Sequence, residues 1–174
     1  SAIRPDTLAT WNWDLPPGAG TYHGLFPNAW YAYDWDALPV RLTQRQFSPV
    51  IPGNYRESSY PVGLFDWVVE NPGPDTLTVG LMFTWQNLVG RWVGLDRAGG
   101  HRNRTVRRSG ITGVELAGPA ASSDEAWAGT FVIGAPDEPG VRLTTRSRFL
   151  ADDGADVWAD FAADGALDDV DDRS

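Results

Sequence analysis

The chain has 174 residues, enough for one domain with a buried core. Its net charge is -9 and all 14 basic residues are arginine, so a nucleic-acid partner, which needs a basic surface, is excluded. It contains no cysteine, which removes disulfides and thiolate metal sites.

Apolar residues make up 42% of the chain and charged residues 21%, as in ordinary globular proteins. Nine Trp, seven Phe and five Tyr, broken by 19 Gly and 13 Pro, favour many short strands and turns over long helices. No apolar run is long enough to cross a bilayer and no signal-peptide pattern opens the sequence. The expected setting is soluble and cytoplasmic.

In chain order, residues 29–33 and 40–47 read as strands separated by the turn-forming stretch 34–39. Residues 62–70, VGLFDWVVE, are rich in β-branched and aromatic side chains. Asn71-Pro72-Gly73-Pro74-Asp75 can continue neither strand nor helix, because two prolines lack donors and glycine frees φ. Next comes the clearest strand signal. In residues 76–85, TLTVGLMFTW, Leu77, Val79, Leu81, Phe83 and Trp85 alternate with Thr76, Thr78 and Thr84. The spacing predicts a hairpin between 62–70 and 76–85.

From Leu88 to Leu116 six arginines and several glycines leave little apolar periodicity, and residues 88–126 are expected to form a divergent surface excursion. Residues 127–133 read as a strand, 135–140 (APDEPG) as a turn, and 141–149 as a further strand. In the last, Val141, Leu143 and Phe149 oppose Arg142, Arg146 and Arg148. Val157, Trp158 and Phe161 then fall at helical spacing, with Asp164-Gly165 as the stop and acidic residues near the start. The acidic stretch after Asp164 reads as a loop or frayed tail. The fold class expected is all-β: one antiparallel β-sandwich domain over residues 1–174, with one short helix near the C-terminus.

Catalytic chemistry is hard to assemble from these residues. His23 and His101 are the only histidines; neither is linked to a nucleophile, and two isolated histidines give no zinc-ligand spacing. The aspartates at 152, 153, 156 and 160 do not match a calcium loop and read as a solvated acidic face. Glycoside hydrolysis needs two carboxylates about 5–9.5 Å apart. Asp66 and Glu70 share a strand face, but four residues of strand separate their Cα atoms by about 13 Å. Asn103-Arg104-Thr105 fits a glycosylation sequon, read as chance in a chain without a secretion signal.

The most unusual segment is 45–61, RQFSPVIPGNYRESSYP, with three prolines, a glycine and a central Asn54-Tyr55 beside Arg56 and Glu57. Two readings stay open. It is either a rigid crossover between two sheets whose polar groups cap its own backbone, or a loop stiffened to contact another domain or a pocket rim. The tryptophans invite sugar stacking, yet Trp67 and Trp85 lie in apolar strands and suit a core; Trp11, Trp13 and Trp30 are undecided.

Several blocks together carry a family resemblance: Trp11-Asn12-Trp13, LFPNAW at 25–30, RQFSPVIPGNYRESSYPVGLFDWVVENPG from Arg45, TLTVGLMFTWQN from Thr76 and VWADFAADG from Val157. In their order and spacing they resemble the amino-terminal domain of the non-lysosomal glucosylceramidase / bile acid β-glucosidase family, glycoside hydrolase family 116. The resemblance implies a non-catalytic β-sandwich docking on an (α/α)6 catalytic domain of the same polypeptide, which carries the nucleophile and acid/base of a retaining β-glucosidase. No catalytic position carries over to this chain. The family's glycine-rich opening has no counterpart before Ser1 and its closing strands none after Ser174, so the chain reads as the middle of that domain, with sheet edges exposed.

On this resemblance, Arg45, Asn54, Tyr55 and Glu57 are the candidates for a domain interface or pocket rim, with a β-glucoside or glycolipid substrate at that interface. No cofactor is indicated, and retaining hydrolysis needs none. The alternatives are a stand-alone carbohydrate-binding module, which requires exposed coplanar aromatics, and an oligomerisation module, which requires an exposed apolar face.

Overall fold

The computed structural model describes residues 16–90, 100–118, 129–150 and 154–170. The chain divides near Thr78 into two compact units, each with its own antiparallel sheet. Among the described residues, two sheets, seven strands and a ten-residue helix near the C-terminus give the all-β antiparallel class expected from the sequence. Trp11, Trp13, Arg91, Arg97, Trp127, Asp152 and Asp153 lie outside the described residues.

The first unit holds β1 (Gly20–Leu25), β2 (Asn28–Tyr33), β3 (Arg41–Phe47) and β4 (Leu64–Glu70), in the spatial order β1-β2-β3-β4. Each neighbouring pair is antiparallel and consecutive, so the sheet is a simple meander. The stretch 48–63 therefore joins neighbouring strands of one sheet; it is not a crossover between two. β1, with its glycines and single Leu, lacked the apolar alternation that marked β2 to β4 in the sequence. Asn71 closes the turn after β4: its Nδ2 donates to the Asp75 carbonyl at 2.6 Å and its Oδ1 accepts from the Gly73 N–H at 3.0 Å.

Register places alternate residues on two faces of this sheet. One face carries Tyr22, Tyr31, Tyr33 and Trp67, whose rings run across the strands with centroids 5.0, 6.5 and 6.3 Å apart. Gln44, buried at 5% exposure, sits among them on β3 and accepts a hydrogen bond from Gln46. Trp67 thus belongs to a packed aromatic row, as its apolar strand context suggests. Burial pushes the Tyr33 phenol above its usual range, and the neighbouring Tyr31 adds to that.

The second unit holds β5 (Arg102–Arg108), β6 (Ile111–Ala117) and β7 (Thr130–Pro136), ordered β5-β6-β7. Part of the stretch read as an excursion is therefore a hairpin. Arginines at 102, 104, 107 and 108 hide its strand character, while Ser109 (φ 54°) and Gly110 (φ 74°) form the two-residue turn that fits twisted strands. Gly113 and Gly134 face each other on β6 and β7, where a side chain has no room. A Cβ on Gly113 would lie 2.3 Å from the Ile133 carbonyl oxygen and 2.6 Å from Gly134 Cα.

Two segments with strong alternation belong to neither sheet. Residues 76–85 form no ladder with β4 among the described residues, so the predicted hairpin is not formed. From Val79 onward this segment is part of the second unit, where Gly80 lies against the Phe161 ring and Trp85 stacks on Phe131 at 5.7 Å. Residues 141–149 likewise carry no strand. Their polar groups are met by side chains: Thr145 bonds Thr105 at 2.8 Å, the Ser147 carbonyl accepts from Asn103 at 3.0 Å, and the Ser147 N–H donates to Asp169. Alternation requires an extended chain; it does not supply a partner strand.

The predicted helix is α2 (Ala155–Asp164), which follows the short α1 (Tyr55–Ser58) described below. Val157 is its buried residue, and Gly165 at φ 75° ends it with an N–H to the Phe161 carbonyl at 2.7 Å. Asp156 and Asp160 are not a solvated acidic face. Both bind Arg146, at 2.8 and 3.0 Å, and all three side chains are no more than 24% exposed. Asp156 also accepts the Leu150 N–H, and Asp160 the Asp168 N–H, so each carboxylate is held by more than one donor.

Candidate functional site

The connection between β3 and β4 is built around its own polar groups. Ile51-Pro52-Gly53-Asn54 turns through a 3.0 Å bond from the Asn54 N–H to the Ile51 carbonyl, with Gly53 at φ 78°, the geometry in which proline then glycine are favoured. Asn54 caps the single turn of α1: its Oδ1 accepts from the Glu57 N–H at 3.2 Å while its Nδ2 donates to Glu57 Oε2 at 2.7 Å. The asparagine cap and the Glu three positions later have the spacing of a capping box, with the returning bond made to the Asn54 side chain while its N–H serves the turn. Ser58 closes the loop, accepting from the Ile51 N–H at 2.8 Å and donating to the Ile51 carbonyl at 3.2 Å.

Among the four sequence-derived site residues, Asn54 and Glu57 are thereby brought together, and each serves the other. Tyr55 projects from the loop 87% exposed, and its carbonyl accepts from the Ser59 hydroxyl at 2.5 Å. Arg45 lies apart from them, on β3, where it pairs with Asp66 of β4 and its guanidinium carbon sits 4.6 Å from the centre of the Phe47 ring. Glu70 is likewise held across the strands by Arg41 at 3.2 Å. The carboxylates Glu57, Asp66 and Glu70 all have local partners.

An open cavity of about 590 Å³ lies at one end of the sheet, where the β1–β2 turn meets the ends of β3 and β4. Tyr22, Phe26, Asn28, Gln46, Phe47 and Phe65 contribute to its wall. None of the four site candidates lines it, although Arg45 adjoins Gln46.

The two histidines separate cleanly. His101 bonds the Val89 carbonyl through Nε2 at 2.9 Å, a structural role, while His23 is exposed on β1. Asn103 of the sequon is half-buried on β5 and bonded to Ser147 and Asn87. Among the described residues, no group of three or more His, Cys, Asp and Glu is placed to hold a metal ion. No helix among them is long and apolar enough to cross a membrane.

The family model for the amino-terminal domain of glycosyl-hydrolase family 116, beta-glucosidase 2, matches residues 1–174, and the chain belongs to that family.

Proposed function

We propose that the chain is the non-catalytic amino-terminal domain of a retaining β-glucosidase of the glucosylceramidase type, docking on a separate (α/α)6 catalytic domain of the same cytoplasmic polypeptide. The observation that carries this reading is the family match along all 174 residues. The loop 48–61 supports it. Its backbone is fixed by the Asn54–Glu57 and Ser58–Ile51 bonds, so the exposed Tyr55, Val50, Ile51 and Tyr60 are presented in one conformation, which reduces the ordering cost of an interface. Arg45 at the root of the loop, with Asn54 and Glu57 setting its shape, completes the docking surface. The substrate class on this reading is a β-glucoside, including glucosylated lipids.

The test is hydrolysis of a chromogenic β-glucoside by the full-length protein and by this chain alone. Turnover confined to the full-length protein, and reduced about tenfold or more by Tyr55→Ala, is the expected result, since aromatic anchors at interfaces commonly contribute 2 kcal/mol or more. Turnover by the isolated chain, abolished by Glu57→Gln, would overturn the reading.

A further inference from the structure

On the sheet face opposite the tyrosines, register sets four side chains side by side in one row: His23 of β1, Trp30 of β2, Arg45 of β3 and Asp66 of β4. Directly opposed residues in adjacent antiparallel strands share a face with Cβ atoms about 5 Å apart. The indole is therefore flanked one strand spacing away by an imidazole on one side and by the Arg45 guanidinium on the other, with its partner Asp66 one strand further out. Among the described residues no ring stacks on Trp30, in contrast to the Tyr22-Tyr31-Tyr33-Trp67 row behind it. The Arg45 and Asp66 side chains are 45% and 49% exposed, so both reach solvent. Arg45 is steadied from two sides, by an Nε bond of 3.1 Å to Asp66 and by the Phe47 ring beneath its guanidinium.

We infer that this row is a binding subsite for a neutral β-glucoside, with Trp30 as the platform. A pyranose with equatorial hydroxyls has flat C–H faces that suit an indole, and its hydroxyls radiate in the ring plane toward whatever flanks that indole. Here the flanks supply an acceptor in Asp66, donors in Arg45 and a group of either kind in His23. Because Arg45 and Asp66 are already paired, they present donor and acceptor together with no net charge, which suits a neutral polyol better than an ion. The subsite rests on the reading of the chain as part of a β-glucosidase, and through Arg45 it adjoins the proposed docking surface.

The experiment is a titration of the isotope-labelled chain with methyl β-glucopyranoside, followed through the indole N–H signals and the arginine Nε–H signals. Trp30 and Arg45 are assigned by Trp30→Phe and Arg45→Lys. Saturable shifts of both signals, with a Kd on the order of millimolar, weakened about tenfold in the near-isosteric Asp66→Asn and unchanged in Tyr55→Ala, are expected. Absence of shifts at Trp30, or equal affinity in Asp66→Asn with signal dispersion retained, overturns the subsite. The underlying reading fails separately, through loss of β-glucoside hydrolysis by the full-length protein.

Discussion

Arginine–carboxylate pairs occur in both units, and their surroundings give them different work. In the first sheet Arg41–Glu70 and Arg45–Asp66 lie across β3 and β4 with side chains 45–67% exposed. Water competes for each partner there, so such pairs add little stability and stay available for recognition. In the second unit Arg146 is 14% exposed and holds two aspartates one helical turn apart, tying α2 to the segment 144–150. Losing one partner there strands charge away from water. The same three-atom chemistry is adornment on one surface and a bolt in the other.

The contrast can be broken at several points. The largest effect is expected at Gly113, where an alanine Cβ would meet the Ile133 carbonyl oxygen at 2.3 Å and force the β6–β7 backbone apart. Gly113→Ala should cost about 3 kcal/mol, read as a lower urea midpoint, whereas the same change at Gly129, which has no neighbour within 4 Å, should not. Next, Arg146→Met should cost about 2 kcal/mol, because it leaves Asp156 and Asp160 facing each other with reduced solvent; the loss should persist in 1 M salt.

Arg41→Met in the first sheet should change stability by less than about 1 kcal/mol, and added salt should erase even that. A midpoint shift as large as that of Arg146→Met would end the distinction between the exposed and the buried pair.

The smallest effect is a pH dependence on β5–β6. The hydrogen bond from Arg104, with its charge, holds the Glu115 carboxyl below the usual range and raises the Arg104 pKa, while partial desolvation of Glu115 works the other way. A carboxyl depressed in the folded state stabilises above its unfolded pKa, and that contribution is lost as pH falls through the folded one. The small stability difference between the native chain and Glu115→Gln should therefore be present at neutral pH and vanish on acidification below the ordinary glutamate range, about 4.3. A difference that grew on acidification would contradict this assignment.

Much of the fold was legible because side-chain period reports on backbone extension. β2, β3, β4, β7 and α2 emerged near their observed positions for that reason. The β5–β6 hairpin did not, since Val106 is the single large apolar residue among the seven of β5; only Ser109-Gly110 marked its turn. Residues 76–85 and 141–149 failed in the opposite direction. Their alternation is strong, but pairing depends on which edge is free nearby, and that is fixed by residues far away in sequence. The candidate site divides in the same way. Asn54 and Glu57 were readable as a local cap, three residues apart. The His23–Trp30–Arg45–Asp66 row spans 43 positions and exists only once three strand registers are set.

The opposed glycines of β6 and β7 bear on how that second sheet finds its alignment. Sliding β7 by one residue past β6 would bring Ile133 or Ala135 to the place of Gly134, opposite Gly113, where the backbones leave no room for a side chain. A slipped strand would thus be rejected by steric exclusion before any of its hydrogen bonds were counted, and the pair serves as a proofreading notch for assembly.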